Sequence, residues 1–166
     1  MESAGEVIHV EARRIGLISD THDMLRPEVF EVFTGVDIIL HAGDVGDDDI
    51  LDELEAIAPV YAVRGNTDRV DNPRLPASRE LDINGVLVHV SHGHEVGAKP
   101  ITLLAAYDAD VIVYGHTHQQ LVTRADTRLV VNPGAAGQRR FKLEPSVARL
   151  TISNGRADVV ILPLAG

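Results

Sequence analysis

Five short apolar runs in this chain each end in a polar motif built from glycine, histidine, aspartate or asparagine. Ile18 leads into Ser19-Asp20-Thr21-His22, and Leu40 into His41-Ala42-Gly43-Asp44. Val63 leads into Arg64-Gly65-Asn66-Thr67-Asp68, Val90 into Ser91-His92-Gly93-His94, and Tyr114 into Gly115-His116-Thr117-His118. Short apolar runs bounded by such residues suit buried strands. In open α/β sheets, binding sites form beyond the carboxyl ends of strands. A fold that sets these runs side by side therefore gathers the five motifs in one place.

The spacing between the runs predicts how they are joined. Arg14–Ser19, Val36–Leu40 and Pro59–Val63 read as strands, and helical patterns fall between them at Pro27–Phe33 and Asp47–Ile57. Proline suits a first helical turn, and Asp47, Asp48 and Asp49 suit the positive end of a helix dipole. Strand and helix in alternation point to parallel βαβ units. The second half differs. Asn84-Gly85 separates Ser78–Ile83 from Val86–Ser91, and Asn154-Gly155 separates Val147–Ser153 from Arg156–Leu162. Asn-Gly accepts the positive φ of a tight hairpin, so both pairs are expected to be antiparallel. Leu121–Arg124 with Arg128–Val131 forms a third such pair, and a helix over Pro100–Tyr107 precedes a strand over Val111–Tyr114. These elements predict two mixed sheets packed face to face with helices outside. Residues 1–12 are expected to be a loose N-terminal extension, and residues 13–166 one domain.

Composition narrows the function. The chain has 166 residues, no cysteine, 45% hydrophobic residues and a formal net charge of −10. Thiolate metal sites, disulfides and cysteine nucleophiles are excluded. The acidic balance opposes broad binding to nucleic-acid backbones, which needs clustered lysine and arginine. No apolar run approaches the roughly 18 residues of a membrane span. The first residues carry acids and no apolar core, so they do not read as a signal peptide, and a cytoplasmic location is expected. The sequence allows a homo-oligomer.

The polar motifs offer three acids or amides (Asp20, Asp44, Asn66) and four histidines (His22, His92, His116, His118). Asp20/His22 and His116/His118 are each two residues apart, a spacing that projects both side chains to one side of extended backbone. Mixed imidazole and carboxylate donors suit a first-row divalent ion. Seven donors exceed what one tetrahedral centre needs, so two ions sharing a carboxylate fit the inventory better. Mn²⁺ is the expected ion, and Ni²⁺, Fe²⁺, Co²⁺ and Zn²⁺ also suit such donors. A phosphate-accepting switch domain would leave the four histidines without a purpose.

In order and identity, Asp20-x-His22, Gly43-Asp44, Gly65-Asn66-x-Asp68, His92-Gly93-His94 and Gly115-His116-Thr117-His118 resemble the calcineurin-like metallophosphoesterase superfamily. The short length and the Asn132-Pro133-Gly134 segment resemble its small YfcE-type phosphodiesterase branch. The resemblance spans about residues 13–162 and implies a four-layer αββα sandwich with a dinuclear site between the sheets. It places Asp20, His22, Asp44 and His118 on the first metal, and Asp44, Asn66, His92 and His116 on the second, with Asp44 as the bridge. Asp44, Asn66, Asp68 and His92 are expected to serve catalysis. Thr67, His94 and His41 are expected to support the ligands or face substrate. Asp68 and Ser91 also belong with the groups that orient the ligands.

The implied activity is hydrolysis of a small phosphoester, most of all a phosphodiester. Two ions about 3.5–4 Å apart lower the pKa of a shared water, and the resulting hydroxide attacks phosphorus in line with the leaving oxygen. Many superfamily members carry histidine where this chain has Thr67, and a threonine hydroxyl is too weak an acid to protonate a leaving group. Acidic leaving groups are therefore expected to be favoured. The alternative implied by the resemblance is a binding scaffold, as in a eukaryotic retromer subunit of this fold with an impaired metal site. All seven ligand positions here hold competent side chains. Arg64, Arg69, Arg74, Arg139 and Arg140 are expected to be solvated surface groups, and His9 and His89 have no motif around them.

Overall fold

Eleven strands and three α-helices build two mixed sheets among the described residues of the computed structural model, which are residues 6–139 and 142–164. The six-stranded sheet runs β1-β5-β6-β7-β9-β8, from β1 (Val7–Val10), β5 (Ser78–Ile83), β6 (Val86–Ser91), β7 (Val111–Val113), β9 (Arg128–Asn132) and β8 (Leu121–Ala125). The five-stranded sheet runs β11-β10-β2-β3-β4, from β11 (Arg156–Pro163), β10 (Ser146–Ser153), β2 (Arg14–Ile18), β3 (Ile38–His41) and β4 (Val60–Ala62). β2, β3 and β4 pair in parallel, as their alternation with α1 (Glu28–Val32) and α2 (Asp48–Glu55) requires. Both Asn-Gly hairpins form, with Asn84 at φ 52°, Gly85 at 88°, Asn154 at 53° and Gly155 at 75°. Positive φ at both central residues matches the strand twist, which is why the registers follow from the turns.

Strand alternation sorts the apolar side chains into three layers of contact. Ile15, Leu17, Ile38 and Leu40 of one sheet meet Leu81, Val88, Val90 and Val113 of the other in the central core. The opposite faces are covered by helices. Val29, Phe33, Ile50, Leu51 and Leu54 pack on Ile18, Ile39 and Val147, while Leu103 of α3 (Pro100–Ala106) packs on Ile112, Tyr114 and Val130. The result is the αββα sandwich expected from the sequence. In α2 the Asp47 side chain accepts from the Asp49 N–H at 3.0 Å, and Asp48 and Asp49 fill the first turn. Such a cap contributes about 1 kcal/mol. No helix among the described residues is long and apolar enough to cross a membrane.

One expectation fails at the N-terminus. Val7–Val10, read as part of a loose extension, forms β1 and pairs in parallel with β5 from Val7↔Glu80 to Val10↔Ile83. Ile8 and Val10 add to the central core, which supplies the reason for order. His9 points from this edge strand towards Asp82, with Nδ1 3.4 Å from Oδ2. Residues 1–5 and Arg140 lie outside the described residues. Arg69 and Arg74 are bound by surface carboxylates, Asp71 in one case and Asp48, Asp52 and Glu55 in the other.

Candidate metal centre

The strand ends deliver their motifs to one rim, and backbone hydrogen bonds tie the loops there to each other. Asp20 N–H donates to Gly43 O (2.9 Å), His22 N–H to Asp44 O (3.0 Å), and Gly115 N–H to His92 O (3.0 Å). The loops are turned sharply. Asp20, His22, Asp44, His116 and His118 all lie in the left-handed region, with φ of 54°, 46°, 53°, 72° and 64°. Such a conformation costs a non-glycine residue on the order of 1–3 kcal/mol and concentrates at functional sites. Asp20/His22 and His116/His118 therefore do not follow the extended-strand spacing expected of them. Both members of each pair leave the extended conformation.

Close approach explains two of the glycines. A Cβ on Gly65 would overlap the backbone nitrogen and carboxylate of Asp44, and one on Gly43 would stand 2.8 Å from His92 Nδ1. Any larger residue would push the loops, and the groups they carry, apart.

The side chains converge on one carboxylate oxygen of Asp20 and one of Asp44. Asp20 Oδ1 faces His118 Nε2 at 3.3 Å, His22 Nε2 at 3.7 Å and His92 Nε2 at 3.8 Å. Asp44 Oδ2 faces His92 Nε2 at 3.2 Å and His22 Nε2 at 3.6 Å. Asp20, His22 and His118 form one cluster able to hold a cation, and Asp20, Asp44 and His92 another. Beside the second, His116 Nδ1 stands 3.1 Å from Asn66 Oδ1, and the His116 and His92 rings are 5.1 Å apart. Donors on one ion with bonds of about 2.1 Å lie roughly 3.0–3.4 Å from each other in octahedral or tetrahedral geometry. The observed spacings fall in or just above that range.

One hydrogen bond decides what these donors want. His92 Nδ1 lies 2.8 Å from the carbonyl oxygen of Ala42, which can only accept, so Nδ1 carries a proton. In the neutral ring Nε2 is then a bare lone pair, aimed at two carboxylates and, like Asp20 Oδ1, without a hydrogen-bond partner. His92 is 0% exposed and Asp20 1%, so water does not relieve them. Buried electron donors facing one point call for a cation. The residues fit a divalent metal.

Most of the chain carries the same signature. It matches the calcineurin-like phosphoesterase superfamily domain over residues 14–155. The chain belongs to the calcineurin-like phosphoesterase superfamily. It is 40% identical over 158 residues to a probable metallophosphoesterase of Methanothermobacter thermautotrophicus, covering 89% of this chain and 91% of the relative. It is 29% identical over 139 residues to a phosphodiesterase of Methanocaldococcus jannaschii, covering 73% and 82%. Among solved structures, a predicted phosphoesterase of Streptococcus pneumoniae superposes with a TM-score of 0.71 at 25% identity over 92% of this chain and 90% of that one. Vps29 of Chaetomium thermophilum shares the fold, with a TM-score of 0.76 at 20% identity over 92% and 95%. The resemblance to the small YfcE-type branch holds on these relatives.

The chain holds its candidate ligands through the expected Thr67, Asp68 and His41 and through Ser19 and Asn132, to which the sequence had given no such role. Ser19 Oγ donates to Asp20 Oδ2 at 2.7 Å, and His116 N–H donates to the same oxygen at 3.1 Å. Thr67 N–H donates to Asp44 Oδ1 at 2.9 Å, leaving Oδ2 for the cluster. Asn132 Nδ2 donates to Gly115 O and to Thr117 Oγ1, both at 3.0 Å, bracing the loop of His116 and His118. Asp68 does not reach into the cluster. Its carboxylate accepts the N–H groups of Val45 (3.1 Å), Gly46 (3.1 Å) and Gly65 (2.9 Å), stapling the Asp44 loop to the Asn66 loop. His41 is fully buried behind the site. Gly43 N–H occupies its Nδ1, so Nε2–H donates to Thr21 Oγ1 at 3.0 Å, and Thr21 passes its own proton to Val45 O. Burial pushes the His41 imidazolium down to about 4, so the ring stays neutral in this chain of bonds. His94 stands at the rim, its ring 5.3 Å from His92 and 6.0 Å from His116.

Charge in the cluster is tightly coupled. Burial alone would raise Asp20, yet His118, His22, His92 and Ser19 together hold it far below the usual carboxylate range. Burial likewise opposes ionisation of Asp44, and the facing His92 ring together with the Thr67 N–H outweighs it, bringing Asp44 down to about 2. Burial would lower His92, but Asp44 and Asp20 outweigh it and raise this group. Without metal, His92 therefore keeps a second proton more readily than a free imidazole does. That proton must leave before Nε2 can donate to an ion. Metal affinity is expected to fall as pH drops through the raised His92 value, by roughly tenfold per unit per proton displaced. Calorimetric titration of Mn²⁺ in buffers of different ionisation enthalpy measures both the slope and the protons released. A pH-independent affinity between pH 5 and 8 would contradict this reading of His92.

Proposed function

We propose that the chain hydrolyses phosphodiesters at a dinuclear centre held by Asp20, His22, Asp44, Asn66, His92, His116 and His118. The observation that carries the proposal is the His92 lone pair, turned by Ala42 towards two buried carboxylates. Two divalent ions bound there would supply Lewis-acid chemistry, withdrawing charge from the phosphoryl oxygens and activating a water for in-line displacement. Asp44 is suited to link the two clusters, because its Oδ2 faces both His22 and His92. Asp20 Oδ1 also faces ring nitrogens of both clusters. The role assigned to Asp68 is to hold Asp44 and Asn66 in register through the backbone.

Two grooves include residues of the candidate site or its neighbours. One of about 440 Å³ is lined by Asp23, Asp47, Asp48, Thr67 and Asp68, and one of about 400 Å³ by His118, Gln119, Gln120 and Lys142. A larger cavity of about 620 Å³ opens between Val86, Val111, Leu129 and Ala157, and none of the candidate ligands lines it. The named phosphodiesterase relative agrees with the reading. Mn²⁺ and a cytoplasmic setting are part of the same proposal. The scaffold alternative gains no observation here, since every ligand position keeps a donor.

Thr67 sets the substrate preference. Its N–H is used on Asp44 and its hydroxyl is a poor acid, so the residue lends no proton to a departing alkoxide. The test is hydrolysis of an aryl phosphodiester against an alkyl phosphomonoester, with each metal, alongside elemental analysis. The diester is expected to be favoured by roughly a hundredfold or more in kcat/KM, the usual worth of a general acid. Thr67→His is expected to narrow that gap. Comparable rates on both esters, or an unchanged gap in the variant, would remove this assignment of Thr67.

A further inference from the structure

A second polar cluster lies on the outer face of the six-stranded sheet, directly behind His92. Val88 and Val90 of β6 point into the central core, so His89 and Ser91 point outward beneath the end of α3. His89 is 1% exposed, stacks on Tyr107 with ring centroids 3.7 Å apart, and places Nδ1 3.2 Å from Glu80 Oε1. Tyr107 ends α3, with its N–H on Leu103 O at 3.0 Å. Its hydroxyl donates to Glu95 Oε2 at 2.6 Å. The other oxygen of Glu95 accepts the Gly93 N–H at 3.0 Å.

Gly93 is where the chain reverses after delivering His92. It has φ of 96°, and its carbonyl accepts from Val96 (3.1 Å) and Ala98 (2.8 Å) to close a 3₁₀ turn over His94–Val96. The Glu95 oxygen that holds Gly93 is also 3.7 Å from His94 Nδ1. One carboxylate thus governs the backbone between His92 and His94 and flanks the second ring, while Tyr107 ties that carboxylate to a rigid helix end. None of Glu95, Tyr107 or His89 belongs to the metal-binding cluster. Among the described residues they reach the site through the turn and through the Glu95 carboxylate beside His94.

We infer that Glu95, anchored by Tyr107, is a positioning residue that fixes the turn after His92 so that the His94 ring stands at the open side of the centre as a contact for the bound phosphoryl group. The inference rests on the phosphoesterase reading of the same site and adds the residues that aim one of its contacts. A small displacement at such a contact is enough to matter, since misplacement by about 1 Å costs up to about a hundredfold in rate.

The test uses the full, metal-loaded chain and four variants: Tyr107→Phe, Glu95→Gln, His94→Ala and the Tyr107→Phe/His94→Ala pair. Three readouts are taken: amide exchange at Gly93, affinity for inorganic phosphate, and kcat and KM on an aryl phosphodiester. Tyr107→Phe is expected to speed Gly93 exchange and to weaken both phosphate affinity and kcat by roughly three- to tenfold. Glu95→Gln keeps an oxygen for Gly93 N–H and is expected to lose less. The double variant is expected to lose no more than His94→Ala alone, because Tyr107 acts through that ring. Losses that multiply in the double variant overturn the inference, as does Gly93 exchange unchanged by Tyr107→Phe. If the unmodified chain binds metal and phosphate yet hydrolyses no ester, the hydrolase reading fails, and exchange with phosphate affinity still decides the role of Glu95.

Discussion

Asp44→Asn is expected to cut bound metal from about two ions per chain to one or fewer and to reduce kcat/KM by well over a hundredfold. Loss of a hydrogen-bond partner behind a ligand already costs about 10–100-fold in affinity or activity, and Asp44 itself faces both clusters. The substitution preserves shape. An amide oxygen can still accept the Thr67 N–H, so the loop need not move. What disappears is a negative charge, 3% exposed, between the ring nitrogens of His22 and His92. Elemental analysis and diester kinetics, with circular dichroism as the control for folding, read the outcome. A variant that keeps two ions and its rate would defeat the assignment of Asp44 to the centre.

Gly65→Ala is expected to damage both fold and site, though it adds a single methyl group. The new Cβ would meet the backbone nitrogen and the carboxylate of Asp44, neither of which can yield without carrying the loop along. Overpacking of this kind costs about 1–3 kcal/mol and lowers the melting temperature by roughly 3–10 °C in a chain of this size. Metal content should fall with it. Gly85→Ala is the informative comparison. There nothing lies within 4 Å of the added atom, and only the φ of 88° resists it. Calorimetry should show a cost near 1 kcal/mol at Gly85, with metal binding intact. Equal metal loss in both variants would mean that space at Gly65 is not what matters.

Acid adds a third axis. Asp44 has a folded value near 2 against an ordinary 3.8, so its contribution to the metal-free fold is present above about pH 4 and is lost as pH falls towards 2. His92 has the opposite sign. Its raised value favours the metal-free fold in the protonated range and fades as pH rises through that value. A stability profile of metal-free protein with both limbs separates the two groups.

Turn chemistry made much of the fold legible. The β5–β6 hairpin matches the sequence expectation residue for residue, because Asn84-Gly85 leaves few other ways to turn. The βαβ units were equally open to reading from their alternation. β1 was missed because a four-residue edge strand with one apolar face carries too little pattern to separate it from a tail. At the site, the residue types and their order were visible, but the backbone that aims them was not. Left-handed Asp20, His22, Asp44, His116 and His118 break local preference, and only neighbouring loops make them pay their way. Asp68 shows a related limit. Its motif marks it as part of the site, yet whether a carboxylate faces a cation or three N–H groups depends on contacts across loops. Glu95 and Tyr107 lie twelve residues apart with no motif between them, so their bond is invisible without the fold.

The mutual tying of the site loops bears on how the protein meets its ions. Domains such as zinc fingers stay unfolded until the metal arrives. Here two sheets bury the core, and the Gly43, Asp44 and His92 carbonyls hold the neighbouring loops by their own hydrogen bonds. Loading and unloading then become exchange at a standing socket rather than folding events. A chelator should silence such a protein and leave it whole, and the ion seated at any moment is set by supply and residence time.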